Sequence, residues 1–350
     1  MSLLLDPVGE LEAAESDWAR LGPATRNVFS TFEWASVWWR HFGEPGTSRV
    51  FACREPHGEV VAILPLYLWS RGAARVVRFI GHGPSDELGA ICSAGHGAGA
   101  ASLLPQAVSE VSGSLLFVGE RVAASGPLGR LAGATTMRRE SSPVLDTADR
   151  TWDGLLASFS SNLRQQIRRR ERRLAREQGL RFRLVDRAER LDRDLDTLFR
   201  LHDARWDGTS TAFSGARREF HREFAHLALE RGWLRLWIAE LNDRPAAAWH
   251  GFRFGGAECF YQSGRDPSLE RHSVGFVLLT HTIREAIADG MAEYRFLRGG
   301  EGYKDRFADR DAPVDTIALG TGALGRRLID VATALDRRPR TRLLLKRALG

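Results

Sequence analysis

An α/β (α+β) fold in two tandem halves is expected from this chain, each half a mixed, mostly antiparallel sheet flanked by helices. Three features point there. The 350 residues exceed what one hydrophobic core usually organises, so two domains or a duplicated one is the starting expectation. Runs with strand and helix periodicity interleave along the whole length. Residues 257–307 read as an aromatic strand, a basic loop, a helix, a second strand and then the Gly-rich run Arg298-Gly299-Gly300-Glu301-Gly302-Tyr303-Lys304. That order is a βαβ unit with a charged mouth.

In the first half, residues 31–42 form an aromatic helix carrying Trp34, Trp38 and Trp39. Residues 49–53 and 60–69 are strands flanking a turn at 55–58, and 74–80 is a third. The loop Gly81-His82-Gly83-Pro84-Ser85-Asp86-Glu87 leads to an extended stretch at 88–92, a helix at 103–111 and a strand at 115–118. Residues 123–150, rich in Gly, Ala, Ser and Thr, hold the boundary, and 137–145 could itself be a strand. The expected domains are residues 1–150, residues 151–322 and a basic helical tail at 323–350.

The second half opens with an arginine-dense helix at 161–177, with Leu163, Ile167 and Leu174 on one face and Gly179 closing it. Its arginines either touch phosphates or stay in water while the apolar stripe packs; the second reading is preferred, because no aromatic residues interleave Arg168 to Arg173 and no zinc-finger or RNP pattern accompanies them. A helix ending near Trp206, a helix at 216–230 and strands at 234–241 and 246–254 follow, the strands joined by Asn242-Asp243-Arg244-Pro245. Gly255-Gly256 makes a tight hairpin into the next strand. That strand ends near Ser263, since Arg265, Asp266, Pro267 and Arg271 do not suit a ladder interior. Ser273 stands at an N-cap position, Phe276, Leu279, Ile283 and Ile287 recur at helical spacing, and Gly290 supplies a left-handed stop. Residues 293–297 return as a strand parallel to the first. A short helix and a last strand at 314–319 complete the half.

Where strand gives way to helix, unpaired N–H groups and the positive end of the helix dipole attract anions. With Arg265, Arg271, Ser273 and Gly275 beside them, a pyrophosphate could approach this backbone closely. The alternative is that Gly275 only eases the start of the helix and the arginines are solvated.

The formal net charge is +6, and lysine occurs only at Lys304 and Lys346. A chain so dominated by arginine can reflect genome composition, so its basicity argues weakly for nucleic acid, which is not an expected partner. Cys53, Cys92 and Cys259 are odd in number, far apart and without metal spacing. Reduced thiols in a cytoplasmic protein, with no metal, are expected. Neither a signal-like start nor a membrane-spanning run is seen. Gly299 to Lys304 lacks the spacing and the hydroxyl of a Walker loop, so ATP chemistry is not indicated. His82, Ser85 and Asp86 lie too close on one loop to form a triad.

Three antiparallel strands feeding a βαβ unit with an anion-binding helix start resemble the GNAT acyl-CoA N-acyltransferase fold. The segments Thr31-Phe32-Glu33-Trp34, Trp38-Trp39-Arg40-His41-Phe42-Gly43, Leu64-Pro65-Leu66, Ser161-Asn162-Leu163-Arg164, Leu201-His202, Arg205-Trp206, Phe296-Leu297-Arg298-Gly299 and Tyr303-Lys304 look like the CelD-like branch. That branch is associated with cellulose or exopolysaccharide biosynthesis and related to the FemAB transferases, in which two GNAT-like halves occur. Where it shows an Asp-Phe-Leu step and a Ser-Pro-Gly helix start, this chain has Arg295 and Ser273-Val274-Gly275.

The resemblance implies an acyltransferase of the EC 2.3.1 class that takes acetyl-CoA or another acyl-CoA and acylates a small amine or amino sugar, in polysaccharide or cell-envelope synthesis. It implies that the donor's pantetheine lies along Tyr261, Gln262 and Ser263, with its pyrophosphate on Val274, Gly275 and Phe276 beside Arg265, Arg271 and Ser273. Tyr303 is the candidate proton donor to the thiolate, with Glu301 or His250 the candidate base. Each also has a structural reading: Glu301 as a helix cap, Tyr303 as packing, His250 as a core histidine. Asp86, Arg205, Trp206 and Lys304 are candidates for the acceptor side. Aminoacyl transfer from charged tRNA and non-catalytic polyanion binding stay as alternatives.

Overall fold

A computed structural model describes residues 3–44, 46–72, 74–111 and 115–336. Residues 337–350, which end the predicted basic tail, lie outside the described residues. The chain divides into two units, residues 1–141 with 312–350, and residues 142–311.

The first unit runs β1 (Leu4–Gly9), α1 (Glu15–Leu21), α2 (Phe32–Phe42), β2 (Ser48–Arg54), β3 (Val60–Arg71), β4 (Ala74–Phe79), β5 (Ile91–Cys92), α3 (Gly97–Glu110), β6 (Leu116–Ala123) and β7 (Thr135–Glu140). The second contains β8 (Pro143–Asp146), α4 (Trp152–Ser158), α5 (Ser161–Gln178), β9 (Arg181–Leu184), α6 (Ala188–Trp206), α7 (Ala216–Glu230), β10 (Leu234–Leu241), β11 (Arg244–Phe254), β12 (Ala257–Arg265), α8 (Val274–Ala288), β13 (Glu293–Arg295) and β14 (Arg310–Asp311). β15 (Val314–Gly320) and α9 (Gly322–Asp336) return to the first unit.

The sheet of the first unit is ordered β1-β2-β3-β4-β6-β15-β7, with β5 added beside β3. The other sheet is ordered β9-β10-β11-β12-β13-β8-β14. The two repeat one plan. Four antiparallel strands lead to a parallel pair, β4 with β6 and β12 with β13, and two further antiparallel strands complete each sheet, β15 and β7 in one and β8 and β14 in the other. The crossover helices are α3 and α8, as a parallel connection requires.

The run at 314–319, expected to close the second half, therefore belongs to the first sheet, where it pairs with β6 and β7. An extended run carries no mark of which sheet it completes, and adjacency in sequence was the wrong guide. The expected strand at 137–145 is two strands, β7 and β8, one in each sheet. β1, α1, α4 and β9 had no counterpart in the sequence reading.

Sheet cores sit against the helices as the apolar stripes direct. In the first unit Phe51, Leu64 and Leu66 pack with Leu104, Ala107 and Val108 of α3, and Trp38 of α2 meets Tyr67 with ring centroids 5.1 Å apart. In the second, Leu163, Ile167 and Leu174 of α5 join Val277, Leu278 and Ile283 of α8 over Trp249, Phe260 and Tyr294. Positive φ at Gly255 and Gly256 forms the β11–β12 hairpin, and Gly290 ends α8 in the left-handed region.

Candidate active site

β12 and β13 pair over only three positions, from Ala257 with Glu293 to Cys259 with Arg295. Beyond them the strands part. The Phe296 N–H donates to the Pro143 carbonyl, and Leu297 turns the chain at φ 54. β12 continues to Arg265 and is held by α6 instead. The Ser263 carbonyl accepts from Nδ1 of His202 at 3.0 Å, and the Ser263 hydroxyl accepts from Nη1 of Arg205 at 2.5 Å. A cavity of about 340 Å³ lies along β12 beyond this parting, between Phe260, Ser263, Gly264 and Arg265, the start of α8 and Tyr303.

Its floor is apolar, with Ala248, Trp249, Phe260, Leu278 and Leu279. Ser263, Arg205 and Tyr303 form one polar group in the wall, and Arg265, Arg170 and residues 273–276 another. Ser273 takes the N-cap position of α8 in a left-handed conformation, and its hydroxyl does not cap. Its carbonyl accepts from the N–H groups of Phe276 and Val277 at 3.0 and 3.2 Å. Phe276 is thus spoken for, whereas the Val274 and Gly275 N–H groups donate to no acceptor among the described residues. Of the three amides expected at 274–276 to meet an anion, two are without an acceptor and the third is bonded to Ser273.

The other candidate residues are divided. Arg265 lines the cavity and donates to Glu270 at 3.1 Å. Arg271 lies outside the cavity wall, and its Nε–H donates to His272. Tyr261 and His250 sit in an aromatic cluster with His221 and Phe252, and neither lines the cavity. Gln262 does not line it either. Burial lowers the His250 imidazole to about 3, and neither ring nitrogen has a hydrogen-bond partner. Trp206 is 40% exposed and stacks under the Arg205 guanidinium. Lys304 is buried, with Nζ donating to the Arg298 carbonyl at 3.0 Å and lying 2.9 Å from Glu301 Oε2, so it braces the Gly-rich loop. Asp86 is buried in the first unit. There the Ser85 hydroxyl donates to the Gly81 carbonyl and accepts from Trp34, while His82 pairs with Tyr67; no triad forms from the three.

The titratable groups differ in readiness. Burial, and then the charge of Glu301, push the Tyr303 phenol up to about 12 against the opposing effect of Arg205. It holds its proton at neutral pH. Glu301 is held below the ordinary carboxylate range because Lys304 outweighs its burial, which makes it a poor base.

Arg170 is the wall residue that the sequence reading left in water. The signal was present: Leu163, Ile167, Arg170 and Leu174 follow the spacing of a single buried stripe, so the arginine occupies an apolar position. Gly264 was also missed; a Cβ there would meet the α6 backbone at 2.3 Å.

Residues 161–305 match the acetyltransferase (GNAT) domain family. This GNAT domain supplies α5 through the Gly-rich loop, hence the whole cavity wall. A search of curated proteins returned no match. Among solved structures, FemX is similar at TM-score 0.63 and 11% identity, over 91% of this chain and 98% of that one. The C-terminal domain of a lysylphosphatidylglycerol synthetase from Agrobacterium fabrum aligns at TM-score 0.55 and 12% identity, over 92% and 96%. A Bacteroides thetaiotaomicron protein of unknown function aligns at 0.56 and 13%, over 90% and 100%. At such identities the likeness is one of fold. Two mixed sheets of one strand order, each flanked by helices, are consistent with a tandem of GNAT-like halves, and the match over residues 161–305 supports a GNAT-fold acyltransferase domain there. Among the described residues, no helix is long and apolar enough to cross a membrane.

Proposed function

We propose that the protein transfers an acyl group from acyl-CoA, acetyl-CoA in the simplest case, to the amine of a small molecule or amino sugar. The observation that carries this reading is the opening between β12 and β13, which leads to two unclaimed amides at the start of α8. A diphosphate fits amides and a dipole so placed. Beyond Cys259 β13 no longer pairs with β12, and that side of β12 offers backbone groups to the amides of a pantetheine arm and an N–H to the tetrahedral oxyanion.

In this reading the amine lone pair attacks the thioester carbonyl, the C–S bond breaks, Tyr303 passes its proton to the departing thiolate, and the proton shed by the acylated nitrogen returns to the tyrosinate. Glu270, the carboxylate in the cavity wall, pairs with Arg265, so the acceptor arrives as free amine or loses its proton to solvent. The likeness to the CelD-like branch in Phe296-Leu297-Arg298-Gly299 and Tyr303-Lys304 supports an acceptor from polysaccharide or cell-envelope synthesis.

Calorimetric titration with acetyl-CoA tests the reading. Gly275 has only the Arg265 side chain near an added Cβ, at 3.5 Å, so a side chain can start there, and the indole of Gly275→Trp is placed to fill the diphosphate position, with a thermal melt checking that the variant folds. Binding by the parent and none by the variant is expected; no binding by the parent, or equal affinity in both, overturns the reading. Aminoacyl transfer from charged tRNA is the second reading, favoured by the exposed Arg168, Arg169, Arg172 and Arg176 on α5. Under it, aminoacyl-tRNA displaces acetyl-CoA, and reversing the charge of those arginines abolishes the displacement.

A further inference from the structure

Three guanidinium groups gather beside the α8 start without a counter-charge. Arg170 stacks on the Phe276 ring at 4.9 Å from its centroid, and Arg306 lies 5.7 Å from the same centroid. Arg173, one turn beyond Arg170, donates from Nη2 to the Arg271 carbonyl at 3.1 Å, while its buried Nε has no partner. Arg306 donates only to Gln166. The described residues place no carboxylate within ion-pair distance of any of the three, whereas other part-buried arginines of this unit have one, Arg183 with Asp194 and Arg284 with Glu171 among them. Burial and the neighbouring Arg306, Arg169 and Arg173 hold the Arg170 guanidinium below its ordinary range. Like charges held together cost free energy that a bound anion recovers.

Phe276, on which Arg170 and Arg306 rest, is the residue after the two unclaimed amides, and Arg170 shares the cavity wall with them. Two amides at a helix start suit one diphosphate. The arginines form a second positive locus next to it.

We propose that Arg170, Arg173 and Arg306 form a subsite for a phosphomonoester on the nucleotide end of the donor, separate from the diphosphate held by Val274 and Gly275. This rests on the acyl-CoA reading and refines it: the donor recognised is the 3′-phosphorylated form. Planar guanidinium groups suit a phosphate dianion, which accepts several charge-assisted hydrogen bonds at once.

The test is calorimetric titration of acetyl-CoA and 3′-dephospho-acetyl-CoA into the full chain and into Arg170→Gln/Arg306→Gln, at low and moderate salt. The parent is expected to bind the dephospho form about tenfold more weakly, as the loss of one or two charged hydrogen bonds implies. In the variant that ratio falls to about one while dephospho affinity stays unchanged. Equal affinities in the parent overturn the subsite but leave the acyl-CoA reading standing. Equal weakening of both donors by the variant also overturns it, by assigning the arginines to the diphosphate. Binding of neither donor sinks both proposals, and a cluster that serves only tRNA would show in that case as variant-sensitive tRNA binding. A thermal melt within a few degrees of the parent establishes that the variant is folded.

Discussion

The Gly264 backbone lies against that of His202, so that a Cβ at position 264 would stand 2.3 Å from the His202 backbone nitrogen and 2.5 Å from the Leu201 carbonyl carbon. This close approach draws β12 towards α6 beyond the point where it parts from β13. It helps keep the cavity open.

Gly264→Ala is therefore expected to destabilise the protein by about 3 kcal/mol, the upper part of the overpacking range, because helix backbone rather than a flexible side chain must give way. Urea unfolding measures the loss. Donor affinity is expected to fall with it, since Ser263 and its contacts to His202 and Arg205 shift together; unchanged stability would show that α6 does not hold the strand in this way.

Tyr303 lines the cavity with a phenol raised to about 12. Tyr303→Phe keeps the ring and removes the transferable proton, so kcat is expected to fall about 10²-fold with donor Kd unchanged. Because the phenol stays protonated below pH 11, it contributes no basic limb to the parent's rate profile up to that point. Steady-state kinetics from pH 6 to 10 check both statements.

His250 tests whether the strand histidine has any chemical role. Its folded pKa of about 3 lies below that of an exposed imidazole, so the unfolded chain takes up the proton first. The stability it contributes is complete above about pH 6.5 and is lost as pH falls towards 3. His250→Phe, which suits a site ringed by Phe213, Phe252 and Tyr261, is expected to leave turnover within about twofold and to flatten the fall of Tm between pH 7 and 5. Loss of turnover with an unchanged Tm would restore the histidine as a base.

Lys304 and Glu301 brace the loop that presents Tyr303. Lys304→Met leaves the Arg298 carbonyl without its donor and Glu301 without its partner, at a cost of about 1–3 kcal/mol. The Glu301 pKa lies below the ordinary carboxylate value in the parent, so the pair's contribution is present above about pH 4.5 and disappears as pH falls through the folded value. Carboxyl NMR titration is expected to show Glu301 rising in the variant.

Much of the second half was readable because its signals are local. Gly255 and Gly256, Gly179 and Gly290 take the left-handed conformations that their turns and helix ends require, and the α5 and α8 stripes follow a helical period that depends on the backbone alone. The same locality made the βαβ unit legible, since a helix returning within a few residues to a second strand leaves little choice of direction.

Non-local matters were not legible. Strand alternation told neither β15 nor β8 which sheet to enter, because both sheets bury the same kinds of residue and ladder bonds form between segments far apart in the chain. The side of the sheet on which His250 and Tyr261 lie was set by the register shift between His250 and Gly251 and by the helix packed there. Arg170 looked like one solvated arginine among many until Phe276 was placed beneath it. The chain's own periodicity and turn residues were enough to locate the strand-to-helix mouth; which groups face that mouth, and which of its amides stay unclaimed, followed from packing between distant elements, where free energy depends on neighbours that no local run of residues can specify.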